Sequence, residues 1–458
     1  MDFKFQSDKF VLLLVVTVLG VLLFRIPLKN EFERQFLYFG AAGVFVWSGV
    51  GGTLQMVGWK YMGLFSIFFL VLFGSFTLTL VILNKRIKPI QFFEGEGLIS
   101  ERLWQGFIIF FLFFSLFPLV YPDFQLTRLI NPPSPDMQQR TEETLKETGD
   151  TMPEILYYYT SVLLFPFFLF SLAFLGRRWW IVIPAVFFYY YIRYCVAEYL
   201  PRHEIGLMLI MLFLYLWNQR IFPRHYLAAS CMFALPLLLL FFNAYTKLRQ
   251  GIGLEIDLNL YAVLESVFTL FYQETFYPIL VNDLMESTHA NEILRYLKWI
   301  VSLPIPQTLT ESWDYLKINH EFTELVTGKI YGQTTTHVFL PGLFGEGMFI
   351  YGGKFFWVHS CTVGILIGGT CFLMKSERRL FFLMTFFQLQ VLILARGGIS
   401  LILILVVNYF LLFWPFLFFL IRRSRIAARN FAYVGSMPFP GEPPEDYLPG
   451  HDGSFPNH

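Results

Sequence analysis

Charge is scarce in this chain. Only 15% of its 458 residues are Asp, Glu, Lys or Arg, and the two signs nearly cancel to a formal net charge of +1. A soluble chain of this length carries far more charge and divides into about two or three domains. Near-neutrality, with no long basic run, also excludes nucleic acid as a partner. Cysteine is rare: Cys195, Cys231, Cys361 and Cys371 lie in or beside apolar segments without metal-ligand spacing, and they read as small buried hydrophobes. Nucleotide and hydrolase signatures are missing as well. There is no Walker A, no His-Glu-x-x-His and no Gly-x-Ser-x-Gly, and Glu94-Gly-Glu-Gly97 lacks the preceding strand that a phosphate loop needs. No carboxylate or histidine cluster points to a metal, so neither a metal nor a cofactor is expected. An internal repeat is lacking too, as is the matched pair of broken short helices that marks inverted-repeat transporters.

Apolar residues fill the space that charge leaves. Hydrophobic residues make up 56% of the chain and aromatics 20%. That composition belongs to an all-α polytopic membrane protein. Apolar segments of bilayer-crossing length recur at 10–25, 36–58, 61–83, 103–121, 153–175, 179–193, 204–219, 226–246, 355–374, 380–395 and 398–421. They predict about 11 transmembrane helices, within a range of about 10–13. No small-residue cleavage site follows the Phe10–Phe24 run, which therefore reads as a first membrane helix rather than a removable signal peptide.

Lys and Arg set the expected orientation. One set of alternate loops collects Arg25, Lys29, Arg34, Lys85, Arg86, Arg177, Arg178, Arg220, Lys375 and Arg422, among others. The opposite short loops hold only Lys4, Lys9, Lys60, Arg193, Arg202 and Arg396. The positive-inside rule then puts the first group and the C-terminus in the cytoplasm, with the N-terminus outside. Two longer polar segments fall on the external side, at 121–153 and 247–354. The second is too long for an idle connector. Its amphipathic stretches, Leu260–Tyr272 and Ala290–Leu303, predict short helices lying over the membrane surface. Residues 1–425 thus read as a single integral membrane domain. The tail at 426–458 starts basic and turns rich in Pro, Gly and acid, the composition of a disordered segment.

Chemistry is expected at Thr334–Gly353, where the large loop runs into a hydrophobic helix. Pro341-Gly342 and Gly352-Gly353 break regular structure there. Glu346 at such a turn would face water or a partner, because hydrocarbon penalises a carboxylate. It suits a general base for a sugar hydroxyl or an orienting partner for an arginine, and a plain water-facing carboxylate is the alternative. His337, after three threonines, suits a donor to phosphate or sugar, or a solvated loop histidine. Arginine fits a lipid-borne diphosphate, since its fork binds phosphate oxygens bidentately and stays charged. The external side supplies Arg193, Arg202, Arg249, Arg295 and Arg396, and Arg193, Arg202 and Arg396 occupy tight inter-helix turns. A snorkelling arginine explains any one of them; three on one face favour a shared anionic site. His203 and Glu204 beside Arg202 form a further ionisable cluster, and Glu204 is also placed to cap the helix that follows. His289 and His320 read as loop residues. The Tyr157-Tyr-Tyr159 and Tyr189-Tyr-Tyr191 triplets fit sugar-stacking platforms or ordinary interfacial belts.

Three places carry a resemblance to a known family. They are Leu200-Pro-Arg202-His-Glu-Ile-Gly206 leading into an apolar helix, the loop exit through Pro341-Gly342-Leu-Phe-Gly345-Glu346 to Gly352, and Ala395-Arg396-Gly397-Gly398 opening the last helix. Together they resemble the bacterial oligosaccharide repeat-unit polymerases, the O-antigen polymerase (Wzy-type) family. The pattern departs at Met348, where that family carries an aromatic. The resemblance implies an inverting, metal-independent glycosyltransferase of class-C type. Such an enzyme joins undecaprenyl-diphosphate-linked repeat units into a surface polysaccharide (O-antigen, capsule or exopolysaccharide) on the periplasmic face of the inner membrane. By the same resemblance Glu346, Arg202 and Arg396 are catalytic; Arg193, Arg249, Arg295, His337, His203 and Tyr351 are expected beside them as substrate-binding residues. Its partners are lipid-linked glycans and membrane lipid, with a chain-length regulator and a flippase nearby.

Three other readings stand beside this one. An O-antigen ligase would transfer a finished chain to lipid A core. A transporter or flippase for a lipid-linked glycan would want charge inside the bundle at mid-membrane depth, whereas the apolar spans here are nearly charge-free. A scaffold subunit of an envelope complex is the third.

Overall fold

The computed structural model of the chain describes residues 5–87, 126–131, 179–197, 202–218, 292–303, 312–328 and 340–375, with shorter pieces that include 395–399. The principal helices are α1 (Ser7–Arg25), α2 (Glu31–Val44), α3 (Trp59–Arg86), α4 (Trp179–Ala197), α5 (Arg202–Asn218), α6 (Glu292–Ser302), α7 (Ile318–Thr327) and α8 (Gly342–Lys375). No strand occurs among the described residues beyond a single bridge between Phe5 and Leu54. Among the described residues, four helical stretches are long and apolar enough to cross a membrane: Ser7–Arg25, Glu31–Thr53, Trp59–Arg86 and Gly342–Leu373. Shorter apolar helices run at Trp179–Ile192 and Met208–Trp217. The expected segment at 103–121, the stretch 260–272, the tail at 426–458 and the greater part of 153–175, 226–246, 380–395 and 398–421 lie outside the described residues.

Local chemistry accounts for the helix ends. Asn30 caps α2 by accepting a hydrogen bond from the Phe32 amide at 2.9 Å, and Glu31 and Glu33 complement the positive end of the dipole. Arg25, Lys85, Arg86 and Lys375 occupy the last turns of α1, α3 and α8, where cations suit the carbonyl ends. Beyond Val44 the α2 helix loosens into a π-turn at Phe45–Gly49 and tightens into a 3-10 turn at Val50–Thr53. That change presents Gly52 to the ring of Tyr61, leaving no room for a side chain, and the Tyr61 hydroxyl donates to the Ser48 carbonyl at 2.9 Å.

Among the described helices, α3 and α8 share the most extensive contact. In α8, Gly364-Ile-Leu-Ile-Gly368 sets two glycines four residues apart, and both meet α3 directly. A side chain at Gly364 would overlap Ser75 Oγ and the Leu72 carbonyl, and one at Gly368 would come within 3.0 Å of the Phe76 carbonyl. In an apolar solvent packing holds helices together, and small residues at this spacing allow the backbones to approach. At the far end Glu33, fully buried, accepts from Lys375 Nζ at 2.5 Å and from Asn84 Nδ2 at 3.0 Å. One end of this bundle therefore gathers Arg25, Arg34, Asn84, Lys85, Arg86 and Lys375, and the other gathers Lys9, Leu54, Val57 and Trp59. Buried Lys9 is held there by the Leu54 and Val57 carbonyls, with the Trp59 ring 5.5 Å away.

The expected water-facing turn across 334–353 is not what forms at its C-terminal part. Residues 342–351 are helical and mostly buried, and the break falls at Gly352, whose φ of 68° and ψ of 173° are open to glycine alone. The first half of α8 folds back along the second. Phe344 packs on Phe356 at 5.7 Å and on Phe68 at 5.0 Å, so the folded-back half reaches well down α3. Tyr61 and Phe65 complete this aromatic cluster, nearly sealed from solvent.

Candidate functional site

The fold-back at Gly352 brings together residues that a straight helix would hold far apart. Glu346 and His359 are 13 positions apart, about 20 Å along an unbroken helix, yet His359 Nε2 lies 3.5 Å from Glu346 Oε2. Glu346 has no solvent-accessible surface and His359 only 3%. Gly347 makes room for the imidazole: a Cβ there would sit 3.2 Å from His359 Cδ2. Half-buried Tyr351 places its ring 5.9 Å from the imidazole.

Two further elements close around the carboxylate. From α6, the Tyr296 hydroxyl donates to Glu346 Oε1 at 3.5 Å, with Tyr296 stacked on Trp299 at 5.7 Å. Burial and the nearby Glu346 charge push the Tyr296 phenol above its ordinary pKa, which keeps it a donor. From the segment 395–399, the Ile399 amide donates to Glu346 Oε2, and Gly398 packs its Cα against the same carboxylate with φ at +78°. Gly342, with φ at +68°, meets the Ala395 carbonyl from the other side. The 395–399 segment is thus gripped at two points of one short half-helix, its start at Gly342 and its middle at Glu346.

That grip fixes Arg396. Its neighbours Ala395, Gly397, Gly398 and Ile399 are buried, whereas Arg396 is exposed with its guanidinium 5.2 Å from the Trp47 ring. A cation on an indole face keeps its charge partly desolvated and oriented. Chemically the arrangement presents the Arg396 guanidinium on a rigid base that a buried carboxylate holds.

Arg295, expected at an anionic site, is engaged elsewhere. It bonds Glu292 at 2.8 Å, Asp314 at 3.0 Å and Glu321 at 2.7 Å, tying α6 to α7. Burial alone would lower its pKa, but the bonds to Glu321 and Asp314 outweigh it and raise the value. Three carboxylates on one guanidinium make a structural clamp that holds α6, and with it Tyr296, in place. Arg193 lies in α4, and Arg202 opens α5 with His203 beside it; the side chains of these three, and all of Arg249 and His337, lie outside the described residues.

Sequence reasoning passed over His359, Tyr296 and Trp47. His359 had a usable signal, being an ionisable residue inside an apolar span, where such residues are rare and face a partner. Tyr296 and Trp47 had none, since aromatics are everywhere in this chain. Among the described residues no group of three or more His, Cys, Asp or Glu could hold a metal ion. The free cysteines Cys195 and Cys371 are buried. No family model matches the chain, and no curated protein or solved structure is similar to it.

Proposed function

We propose that this protein is a membrane glycosyltransferase that polymerises lipid-diphosphate-linked oligosaccharide repeat units, with Arg396 holding a diphosphate and Glu346 fixing the segment that carries Arg396. The observation that supports this reading most is the pairing of an exposed, indole-backed guanidinium with a buried carboxylate that clamps its backbone. A lipid-borne diphosphate needs a cation at membrane level, and a bidentate fork on a rigid base suits it. In the proposed reaction an acceptor sugar hydroxyl attacks the anomeric carbon of the lipid-linked donor. The bond to the diphosphate breaks as the new glycosidic bond forms, and the lipid diphosphate leaves with its electron pair and takes up the proton that the hydroxyl loses. Arg202 remains a proposed second cation. By charge placement the Glu346 end faces outward, which in a bacterial inner membrane is the periplasm.

The test is chain length in cells. Arg396→Ala and Arg202→Ala proteins should reach the membrane yet leave surface polysaccharide as single repeats, read as loss of the ladder on a gel. Full ladders from both variants would count decisively against the proposal. A polymer that is made but never attached would mark a ligase instead.

One observation favours the transporter reading. α8 is a discontinuous helix with a buried carboxylate beside its break, and broken helices of this kind carry binding sites in transporters. Elongation of lipid-linked units by purified protein in detergent, with no vesicle to transport across, separates the two.

A further inference from the structure

We propose that His359 is a positioning residue of the Arg396 site, acting through Glu346. The inference rests on the reading that Arg396 binds a lipid-borne diphosphate, and it adds a residue that reading does not use. His359 Nε2 is sealed from solvent and has no hydrogen-bond partner. A buried polar nitrogen left so costs free energy unless a partner serves it. The acceptor in reach is Glu346 Oε2 at 3.5 Å, half an ångström beyond an ordinary bond. That same oxygen takes the Ile399 amide on its other side, and Gly398 lies flat against the carboxylate. Groups therefore follow one another from His359 to Glu346, to the 398–399 backbone, and to Arg396 two residues away.

Each link is stiff. Gly347 gives the imidazole its seat, since a Cβ there would sit 3.2 Å from the ring, a tight contact. Gly398 sits at a positive φ with its Cα on the carboxylate, so the 395–399 backbone follows any movement of Glu346. Tyr296 restrains the second oxygen, Oε1, from α6. Removing the imidazole leaves Glu346 with its Oε2 side open and lets the carboxylate swing toward the vacated space. Arg396 then loses its register on Trp47 and binds a diphosphate less well, although it is itself unchanged.

The experiment uses the full-length protein in detergent and farnesyl diphosphate as a short lipid-diphosphate probe, with farnesol as the control for binding by the chain alone. Wild type should bind the diphosphate, and Arg396→Ala should not. His359→Leu should weaken binding about tenfold, the loss expected when Glu346 and the Arg396 segment lose their register. His359→Gln, which restores an N–H near the Nε2 position, should return binding to within about twofold of wild type. Undiminished binding by His359→Leu, or equal weakness of the Gln and Leu variants, would overturn the proposal, the latter by showing a packing role. If wild type does not bind, or Arg396→Ala binds like wild type, the diphosphate reading fails instead. Thermal unfolding of Glu346→Gln, His359→Leu and the double variant then decides the link alone. A double variant whose loss is smaller than the sum supports it, and strict additivity overturns it.

Discussion

A carboxylate without solvent contact must be held by donors, and Glu346 accepts from the Ile399 amide and the Tyr296 hydroxyl, with the His359 imidazole 3.5 Å away. This shapes its role. A base for an acceptor hydroxyl needs an open face, whereas the grip on Ile399 and Gly398 makes Glu346 the anchor of the Arg396 segment. Glu346→Leu strands those donors and should destabilise the protein on the order of 3 kcal/mol, the scale for breaking a buried charged network. Glu346→Gln keeps one acceptor oxygen and should cost clearly less. Thermal unfolding in detergent reads both; a Leu variant as stable as wild type would show that the network carries no weight. Arg295 illustrates the opposite case. An external arginine looks in sequence like a phosphate ligand, but its charge is already shared among Glu292, Asp314 and Glu321. The i,i+3 spacing of Glu292 and Arg295 on one helix is readable, but nothing in the spacing shows that Asp314 and Glu321 meet them.

Among the elements, α8 carries the organisation. Its lower half binds α3 through Gly364 and Gly368, and its upper half turns back at Gly352 to build the site. Gly364→Leu should push α3 and α8 apart and abolish a folded, extractable protein, or lower its unfolding temperature steeply. Gly369→Leu, at a glycine with nothing within 4 Å, should leave the protein intact. Equal tolerance of the two would refute the close approach. Much of this was legible beforehand. Apolar runs at 10–25 and 61–83 match α1 and α3 within a few residues, and the run at 355–374 matches the lower half of α8. The Gly352-Gly353 step is visible as a break. What the break does is not visible, since a glycine's φ permits a reversal without dictating one. The direction comes from the aromatic surface of Tyr61, Phe65 and Phe68 that receives Phe344. Burial of Glu346 follows from that packing, which no local pattern encodes.

At the scale of the molecule, the described helices segregate their basic ends. The helix ends with Arg25, Arg34, Lys85, Arg86 and Lys375 lie together, and Lys9, Trp59 and Lys60 lie at the opposite end with the N-terminal side of α3. Under the proposed orientation, positive-inside placement puts the second end on the periplasmic face. In a cysteine-free background, Lys60→Cys should react with a membrane-impermeant maleimide on intact spheroplasts, and Lys85→Cys only after permeabilisation. Both positions are exposed in the folded protein, so the reverse pattern would invert the topology and remove the periplasmic assignment.

The most direct test of the account is elongation by pure protein. Full-length wild type in detergent, given undecaprenyl-diphosphate-linked repeat units and no nucleotide, should build a ladder of longer lipid-linked chains. The Arg396→Ala protein, matched for folding by its unfolding temperature, should leave the units single. A ladder undiminished by Arg396→Ala, or no ladder from folded wild type, would contradict the account.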